Sequence, residues 1–199
     1  EHIDDIYRSL AYAAQKNIVV NLYLEDWSSG MKDSPDYVFQ MMDALVESGI
    51  KRFLLPDTLG ILNPMQVTEF FGKMKERYPS AHFDFHAHND YDLAVGNSLA
   101  AVKAGASGLH VTVNGLGERC GNAPLASVQA ILKDQLHVET GIHEDRLGEV
   151  SRLVEGYSGI AVAPNQPIVG ENVFTQVAGV HADGDNKDNL YCNDLVPER

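Results

Sequence analysis

The chain has few basic residues, two cysteines and no long apolar run. Lys and Arg number 15 against 28 Asp and Glu, so the formal net charge is -13, and such a charge repels phosphate backbones and anionic lipid. No apolar run approaches the roughly 20 residues that a membrane-spanning helix needs. Cys120 and Cys192 lie far apart in the sequence, which suits a reducing compartment. We therefore expect a cytoplasmic protein without nucleic-acid or membrane partners.

The length and the apolar content are those of a globular protein. A chain of 199 residues, 44% of them hydrophobic, can bury the core of one good-sized domain. It opens without methionine, inside a helical pattern that includes Ile3, Ile6 and Leu10. We therefore expect further residues to precede Glu1 in the natural protein.

Short β-rich runs alternate with helical patterns along most of the sequence. Alternation at this spacing predicts parallel strands joined by right-handed crossovers, so the predicted fold class is α/β. After a leading helix, the predicted strands are 18–24, 52–56, 82–88 and 108–114, and the helices that follow them are 35–48, 64–77, 90–104 and 124–132.

Polar side chains end each predicted strand, as Asp57 and Thr58 do after the second. The Gly-x-Gly-x-x-Gly of dinucleotide-binding folds does not follow the first strand. Both features favour a (β/α)8 TIM barrel, whose active site lies at the carboxyl ends of its strands. Four β-α units would be the second half of such a barrel. Because the rhythm then changes, we predict a half-barrel over 1–138 and a small, mostly helical linker subdomain over 139–199.

Two histidines at the end of the third strand are candidate metal ligands. Strand alternation puts His86 and His88 on one face, and imidazoles two residues apart can bind the same ion. A hydrogen-bonded or surface pair is the alternative for an isolated His-x-His. Asn122, after the fourth strand, could add its amide oxygen or a hydrogen bond beside the metal, although Gly117 and Gly121 also suit an ordinary turn.

Six parts of the chain carry motifs of one enzyme family. They are Glu25, Pro56–Gly60, His86–Asp90, a segment with Ala94, Asn97, Ala100, Ala101, Gly105 and Ala106, then Thr112–Leu125 and Ala178–His181. Together they resemble 2-isopropylmalate synthase and its relatives homocitrate, citramalate and Re-type citrate synthase, and the resemblance covers nearly the whole chain. It implies a metal-dependent barrel enzyme that condenses acetyl-CoA with a 2-oxo acid.

The resemblance implies a metal site with one part missing. It makes His86 and His88 ligands of a divalent Mn, Mg or Zn ion and places Asn122 at or beside the metal. Family members also carry an Asp-Arg-Glu segment on the first barrel strand, with an acidic ligand and an enolate-stabilising arginine, and nothing here matches it. The chain therefore resembles strands five to eight of the barrel, and we expect it to be inactive alone.

The resemblance also implies acid–base and substrate-binding residues. Glu25 and His181 become acid–base candidates, with His181 reaching into the barrel of a neighbouring subunit of a homodimer. Thr58 would bind the carboxylate of the 2-oxo acid, and Asn114 and Glu118 would also bind substrate. Without the resemblance, Glu25 could be a solvated strand end, Thr58 a turn or capping residue, and His181 a surface histidine.

The implied activity is a Claisen condensation of acetyl-CoA with a 2-oxo acid. The first candidate substrate is 2-oxoisovalerate, which belongs to leucine biosynthesis. Homocitrate, citramalate and Re-type citrate synthesis stay open, since Tyr91-Asp92 departs from the Leu/Phe-Gly dipeptide usual after His-Asn-Asp. Two other classes are also open: a related carbon–carbon lyase, such as hydroxymethylglutaryl-CoA lyase, and a noncatalytic metal-binding fragment.

Overall fold

The computed structural model describes residues 2–187 and 193–195, so Cys192 lies outside the described residues. Helices α1 to α8 are His2–Gln15, Trp27–Asp33, Pro35–Val46, Pro64–Arg77, Ala94–Lys103, Leu125–Asp134, Leu147–Ser158 and Gly179–Asn186. Strands β1 to β4 are Leu22–Tyr23, Arg52–Asp57, His82–Ala87 and Gly108–His110. No helix within the described ranges is long and apolar enough to cross a membrane.

The four strands form one parallel sheet in the order β1-β2-β3-β4. β2 and β3 pair along their whole length, with Phe53 opposite Phe83 and Asp57 opposite Ala87. The predicted α/β class with parallel strands is therefore confirmed. That these are strands five to eight of a barrel stays a prediction.

The two outer strands are shorter than predicted. β1 has only two residues, because its neighbour β2 begins at Arg52 and the earlier part of the predicted strand has no described partner. β4 ends at His110, and Val113–Gly115 then forms a 3-10 turn in which Asn114 has a φ of 59°. This left-handed backbone is incompatible with an extended strand.

A short helix that the sequence pattern did not predict, α2, follows β1. It contains two serines and a glycine, which are weak helix formers. Burial stabilises it instead, because Trp27 and Met31 are at most 3% exposed and the indole packs edge-on against Phe70 and Phe71 of α4. Tertiary packing here overrides a weak local propensity.

The hydrophobic core of the sheet lies on its helix-covered face. Phe83 and Phe85 of β3 both contact Phe71 of α4 edge to face, and all three rings are at most 1% exposed. α4 has the predicted bounds because Asn63 and Gln66 form a capping box at its start, which satisfies otherwise unpaired N–H groups. The opposite face of β3 is left for polar residues.

The described residues divide into two compact units. The first comprises the residues up to Val111 together with Gly117–Ala123, and the second comprises Thr112–Leu116 and the residues from Pro124 onward. The division falls ahead of residue 138, where we predict the end of the half-barrel. That domain boundary stays a prediction.

Candidate active site

One face of β3 is polar although the strand is largely buried. His82, Asp84 and His86 alternate with Phe83 and Phe85 along it. Because side chains alternate across a strand, the two imidazoles and the carboxylate lie on the face away from α4. This polar face of β3 contributes residues to the candidate active site.

Asp84 is the buried centre of this polar face. Its Oδ2 accepts a hydrogen bond from Nε of Arg52 at 2.7 Å and lies 3.2 Å from Nε2 of His110, while Oδ1 lies 2.8 Å from Nε2 of His82. Burial alone would raise the pKa of Asp84, but the hydrogen bonds with its neighbours outweigh burial and lower the pKa. Gly108 makes room, since a Cβ there would lie 2.4 Å from Oδ1.

His86 and His88 converge, and Asn122 joins them. The two Nε2 atoms are 3.4 Å apart, and Nδ2 of Asn122 lies 3.3 Å from Nε2 of His86. Backbone pairing explains the meeting: Asn122 forms an antiparallel bridge with His88, and the N–H of Ala123 donates to the carbonyl of Ala87 at 3.1 Å. The segment after β4 is thus held along the carboxyl end of β3.

The donor set fits a divalent cation. The pKa of His86 is lowered to about 4, mainly by burial and then by the imidazoles of His88 and His110, against an opposing effect of Glu25; the neutral ring is the form that binds metals. Two imidazole nitrogens bound to one ion at about 2.1 Å lie roughly 3.0–3.4 Å apart at bond angles of about 90–110°. The observed separation of 3.4 Å falls within this range.

Asn122 is the third donor that this chain offers at the histidine pair. No group of three or more His, Cys, Asp and Glu side chains that could hold a metal occurs in the described ranges. Oδ1 of Asn122 packs against Gly117, where a Cβ would lie only 1.9 Å away, so the amide nitrogen faces His86. To bind a cation through Oδ1, the amide group of Asn122 must rotate by half a turn. The rotation exchanges the two atoms and places Nδ2, which is similar in size to Oδ1, beside Gly117.

Arg119, in the loop after β4, forms hydrogen bonds to the loops that follow β2 and β3. Its Nε and Nη2 donate to the two carboxylate oxygens of Asp90 at 2.7 and 2.9 Å, and Nη2 also donates to the carbonyl oxygen of Thr58 at 2.7 Å. Gly60, with a φ of 60°, allows the loops to approach, because a Cβ there would lie 2.8 Å from Oδ2 of Asp90. A bidentate pair of this kind fixes geometry as well as charge.

Glu25 and Thr58, predicted from separate motifs, are in contact. The Thr58 hydroxyl donates to Oε1 of Glu25 at 2.9 Å and accepts from the N–H of Asp26 at 3.0 Å. The single hydroxyl hydrogen of Thr58 is therefore engaged by Glu25. Binding a substrate carboxylate through this hydroxyl would require it to turn away from Glu25.

Tyr23 and His110 are residues of this region that the sequence reasoning missed. The Tyr23 hydroxyl lies 2.9 Å from Nδ1 of His110, and the ring centroids of Tyr23 and His110 lie 6.3 and 5.7 Å from that of His86. One signal was available, because Tyr23 lies at the end of β1, two residues before the candidate residue Glu25 in the turn that follows. His110 is placed by the register, which sets it opposite His86.

Three further predicted residues keep their roles as predictions. Asn114 donates through Nδ2 to the carbonyl of Ser151 at 2.9 Å and accepts from the Ser151 hydroxyl at 2.6 Å, so its amide is engaged within the second unit. Glu118 is exposed, with its carboxylate 3.7 Å from the guanidinium of Arg119. His181 is half-buried in α8 of the second unit.

The fold and the site define a parallel α/β protein with two histidines and an amide converging at the carboxyl end of a strand. Its sequence matches the HMGL-like family over residues 1–154, and the chain belongs to that family. The sequence resemblance to the 2-isopropylmalate synthase family is thereby confirmed, since the relatives described next are synthases of this kind.

Three curated relatives carry three different synthase names. A putative (R)-citramalate synthase of Methanopyrus kandleri is 40% identical over 189 residues, which are 94% of this chain and 36% of that protein. A probable 2-isopropylmalate synthase of Ignicoccus hospitalis is 40% identical over 176 residues, 88% and 43% of the two chains. A homocitrate synthase of Sulfolobus acidocaldarius is 39% identical over 198 residues, 100% and 42%. The chain thus spans about two-fifths of their length.

A solved structure supports the fold. The HMG-CoA lyase of Bacillus subtilis aligns with a TM-score of 0.70 and 24% sequence identity over 80% of this chain and 56% of that chain. At this level of identity the likeness concerns the fold alone. It agrees with the parallel sheet and its helix-covered face.

Proposed function

We propose that this chain belongs to a divalent-metal-dependent synthase that condenses acetyl-CoA with a 2-oxo acid. The observation that carries the proposal is the convergence of His86, His88 and Asn122 at the carboxyl end of β3, in a chain of the HMGL-like family. Relatives named as citramalate, 2-isopropylmalate and homocitrate synthases support it.

The histidine pair and the amide would hold the metal together with an acidic ligand from elsewhere in the protein. His86 and His88 offer two neutral imidazole nitrogens, and Asn122 offers its amide oxygen after a half-turn. A bound Mn, Mg or Zn ion supplies Lewis acidity that polarises the keto group of the 2-oxo acid. Because the paired imidazoles would hold the ion in one position, the keto group bound to it would also be held in one position. This lowers the entropic cost of the reaction.

Thr58 and Glu25 form a pair that substrate would rearrange. The Thr58 hydroxyl donates to Glu25, and in our proposal it turns to the carboxylate of the 2-oxo acid when that acid binds. Glu25 then loses its hydrogen bond from Thr58. The carboxylate oxygen that accepted this hydrogen bond is then open to a proton, which suits an acid–base role.

The condensation requires a proton to leave the methyl group of acetyl-CoA. We assign its removal to an imidazole nitrogen of His181, with Glu25 as the second acid–base group. The resulting enolate carbon forms a bond to the keto carbon, the electron pair of the C=O bond moves to oxygen, and that oxygen takes up a proton. Water then hydrolyses the thioester, which releases CoA and makes the condensation effectively irreversible.

The first candidate substrate is 2-oxoisovalerate, which would give 2-isopropylmalate for leucine biosynthesis. Pyruvate, 2-oxoglutarate and oxaloacetate are the substrates of the citramalate, homocitrate and Re-type citrate alternatives. We also propose a homodimer, in which His181 serves the barrel of the neighbouring subunit. The intact protein would then need both the missing acidic ligand and a second subunit for activity.

A carbon–carbon lyase is the second candidate function. The chain shares its fold with the HMG-CoA lyase of Bacillus subtilis, so we keep cleavage of a carbon–carbon bond as the alternative to condensation. The products separate the two candidates. Condensation followed by hydrolysis releases the free thiol of CoA, whereas cleavage of hydroxymethylglutaryl-CoA leaves CoA acylated.

The test is acetyl-CoA-dependent thiol release by the intact protein. We expect release with at least one 2-oxo acid in the presence of Mn²⁺, Mg²⁺ or Zn²⁺ and its loss after chelation. His86→Ala should abolish the release, whereas His143→Ala, which removes an exposed imidazole of the second unit, should leave it unchanged. Absence of thiol release with every 2-oxo acid and metal would overturn the synthase proposal.

A further inference from the structure

Three loops that carry residues of the candidate site meet at the guanidinium of Arg119. Its Nε and Nη2 donate to the two carboxylate oxygens of Asp90, which follows β3, and Nη2 also donates to the carbonyl oxygen of Thr58, which follows β2. Asp90 lies two residues after His88, and Arg119 lies three residues before Asn122. Each of the three loops therefore contains a candidate ligand of the metal or of the substrate.

The hydrogens of this guanidinium already have acceptors within the protein. Nε carries one hydrogen and Nη2 carries two, which matches the three acceptor oxygens of Asp90 and Thr58. The remaining nitrogen, Nη1, lies 3.7 Å from the carboxylate of Glu118. To bind a substrate carboxylate, Nε or Nη2 would have to give up one of these hydrogen bonds. The arrangement therefore suits a residue that holds the loops together and does not itself bind substrate.

The backbone of Arg119 is in an unfavourable conformation. Its φ is 54°, in the left-handed region that residues other than glycine seldom adopt. Such a conformation persists where the surrounding contacts determine it, and it is common at functional sites. The three hydrogen bonds of the side chain are contacts of this kind. The strain is therefore associated with the place of the guanidinium between Asp90 and Thr58.

Backbone pairing holds the metal-binding part of the site without the Arg119 side chain. Asn122 forms an antiparallel bridge with His88, and the N–H of Asn89 donates to the carbonyl oxygen of Gly121 at 2.9 Å. These contacts join the loops after β3 and β4 through their main chains. Loss of the guanidinium should therefore leave the candidate metal ligands in place.

The loop of Thr58 has a weaker backbone connection. The N–H of His88 donates to the carbonyl oxygen of Asp57 across 3.4 Å, which is long for a hydrogen bond. Nη2 of Arg119, in contrast, lies 2.7 Å from the carbonyl oxygen of Thr58. Because the β-branched side chain of Thr58 has few rotamers, the position of its backbone determines where its hydroxyl lies. That hydroxyl is the one that donates to Glu25.

We propose that Arg119 is a positioning residue, which holds the backbone of Thr58 so that the Thr58 hydroxyl lies where it can bind the carboxylate of the 2-oxo acid. The inference rests on the proposed condensation. A displacement of about 1 Å at a reacting site can lower activity about 100-fold, so the effect is large although the guanidinium does not touch the substrate. Loss of the guanidinium weakens binding of the 2-oxo acid and preserves binding of the metal.

The experiment removes the guanidinium from the intact protein and uses the 2-oxo acid that supports thiol release by the wild type. Arg119→Gly permits the left-handed backbone. It should raise KM for the acid about 10–100-fold, with a smaller change in kcat and an Mn²⁺ affinity within about 3-fold of the wild type. Arg119→Lys keeps the charge but cannot form the two-pronged contact, so it should raise KM less.

Arg77→Ala is the matched control. Arg77 of α4 also makes a bidentate pair, with Asp43 of α3 at 3.1 and 2.6 Å, and neither residue belongs to the candidate site. This variant should leave KM for the 2-oxo acid unchanged. Calorimetric binding of the acid to the Mn²⁺-loaded proteins without acetyl-CoA should show the same pattern in Kd.

Rescue by free guanidinium separates positioning from a loss of folding. Guanidinium chloride at about 50 mM, which lowers stability only slightly, should partly restore the KM of Arg119→Gly, whereas NaCl at the same concentration should not. Thiol release with an unchanged KM in Arg119→Gly, or an equal rise of KM in Arg77→Ala, would overturn this inference and leave the synthase proposal intact. Absence of thiol release by the wild type with every 2-oxo acid would overturn both.

Discussion

The two faces of β3 are packed in different ways: one makes apolar contacts and the other makes hydrogen bonds. On the face towards α4, Phe83 and Phe85 need only close apolar contact, which Phe71 provides. On the other face, the buried carboxylate of Asp84 requires hydrogen-bond donors, and it obtains them from β2, β3 and β4. Alternate residues of one strand therefore serve stability and chemistry separately. Substitutions on the two faces should affect different measurements.

Loss of His86 should give the largest effect on activity. His86→Ala removes a proposed metal ligand. A metal ion that acts as a Lewis acid stabilises the transition state by several kcal/mol, so we expect its loss to lower kcat/KM by about 10³-fold or more. The midpoint of urea unfolding should change little, because the ring is not part of the phenylalanine core. A large drop in the unfolding midpoint of His86→Ala would contradict the separation of the two faces.

Loss of Phe85 should lower stability and leave metal binding unchanged. Phe85→Ala opens a cavity against Phe71 and should lower the free energy of unfolding by about 3–5 kcal/mol. The protein that stays folded at low temperature should bind metal normally, since the histidine pair lies on the other face. Urea unfolding and metal titration at 10 °C test this, and a variant that is as stable as the wild type would refute the assignment of the core.

A methyl group at Gly117 should weaken metal binding without unfolding the chain. Gly117→Ala brings a Cβ to 1.9 Å from Oδ1 of Asn122, so the amide must leave its place beside His86. We expect metal affinity to fall by about 10–100-fold, as for other groups that support a metal site. Calorimetric titration with Mn²⁺ measures the change, and an unaltered affinity would show that Asn122 takes no part.

A methyl group at Gly72 should have the smallest effect, and a favourable one. Gly72 lies within α4 with no atom within 4 Å of an added Cβ. Gly72→Ala should therefore raise the free energy of unfolding by up to about 1 kcal/mol through helix propensity, with metal affinity unchanged. The variant is also the matched control for Gly117→Ala, and a decrease in its stability would contradict the described packing of α4.

Alternation in the sequence predicted the strand of the third β-α unit well, whereas the helix of that unit begins at Ala94 and not at residue 90 as predicted. The His82–Ala87 strand, its two unlike faces and the convergence of His86 with His88 all follow from a period of two residues. α4 was predicted with its observed bounds because its proline start and apolar stripe are local signals. Local patterns therefore carried both the fold class and the core of the candidate site.

Features that depend on contacts between distant strands could not be predicted in this way. Tyr23 and His110 meet across the face of the sheet, and no sequence period encodes that meeting. The helix at Trp27 forms because the indole is buried against α4, which overrides its weak propensity. The contact of Thr58 with Glu25 likewise depends on how two loops approach each other.

The most direct test of whether His86 and His88 bind one cation is the metal content of the purified protein. After reconstitution with Mn²⁺ and gel filtration, the intact protein should retain about one ion per chain, as a single site requires. His88→Ala should lose it, and His143→Ala should keep it. A His88→Ala protein that retains the same metal content and affinity as the wild type would contradict the account.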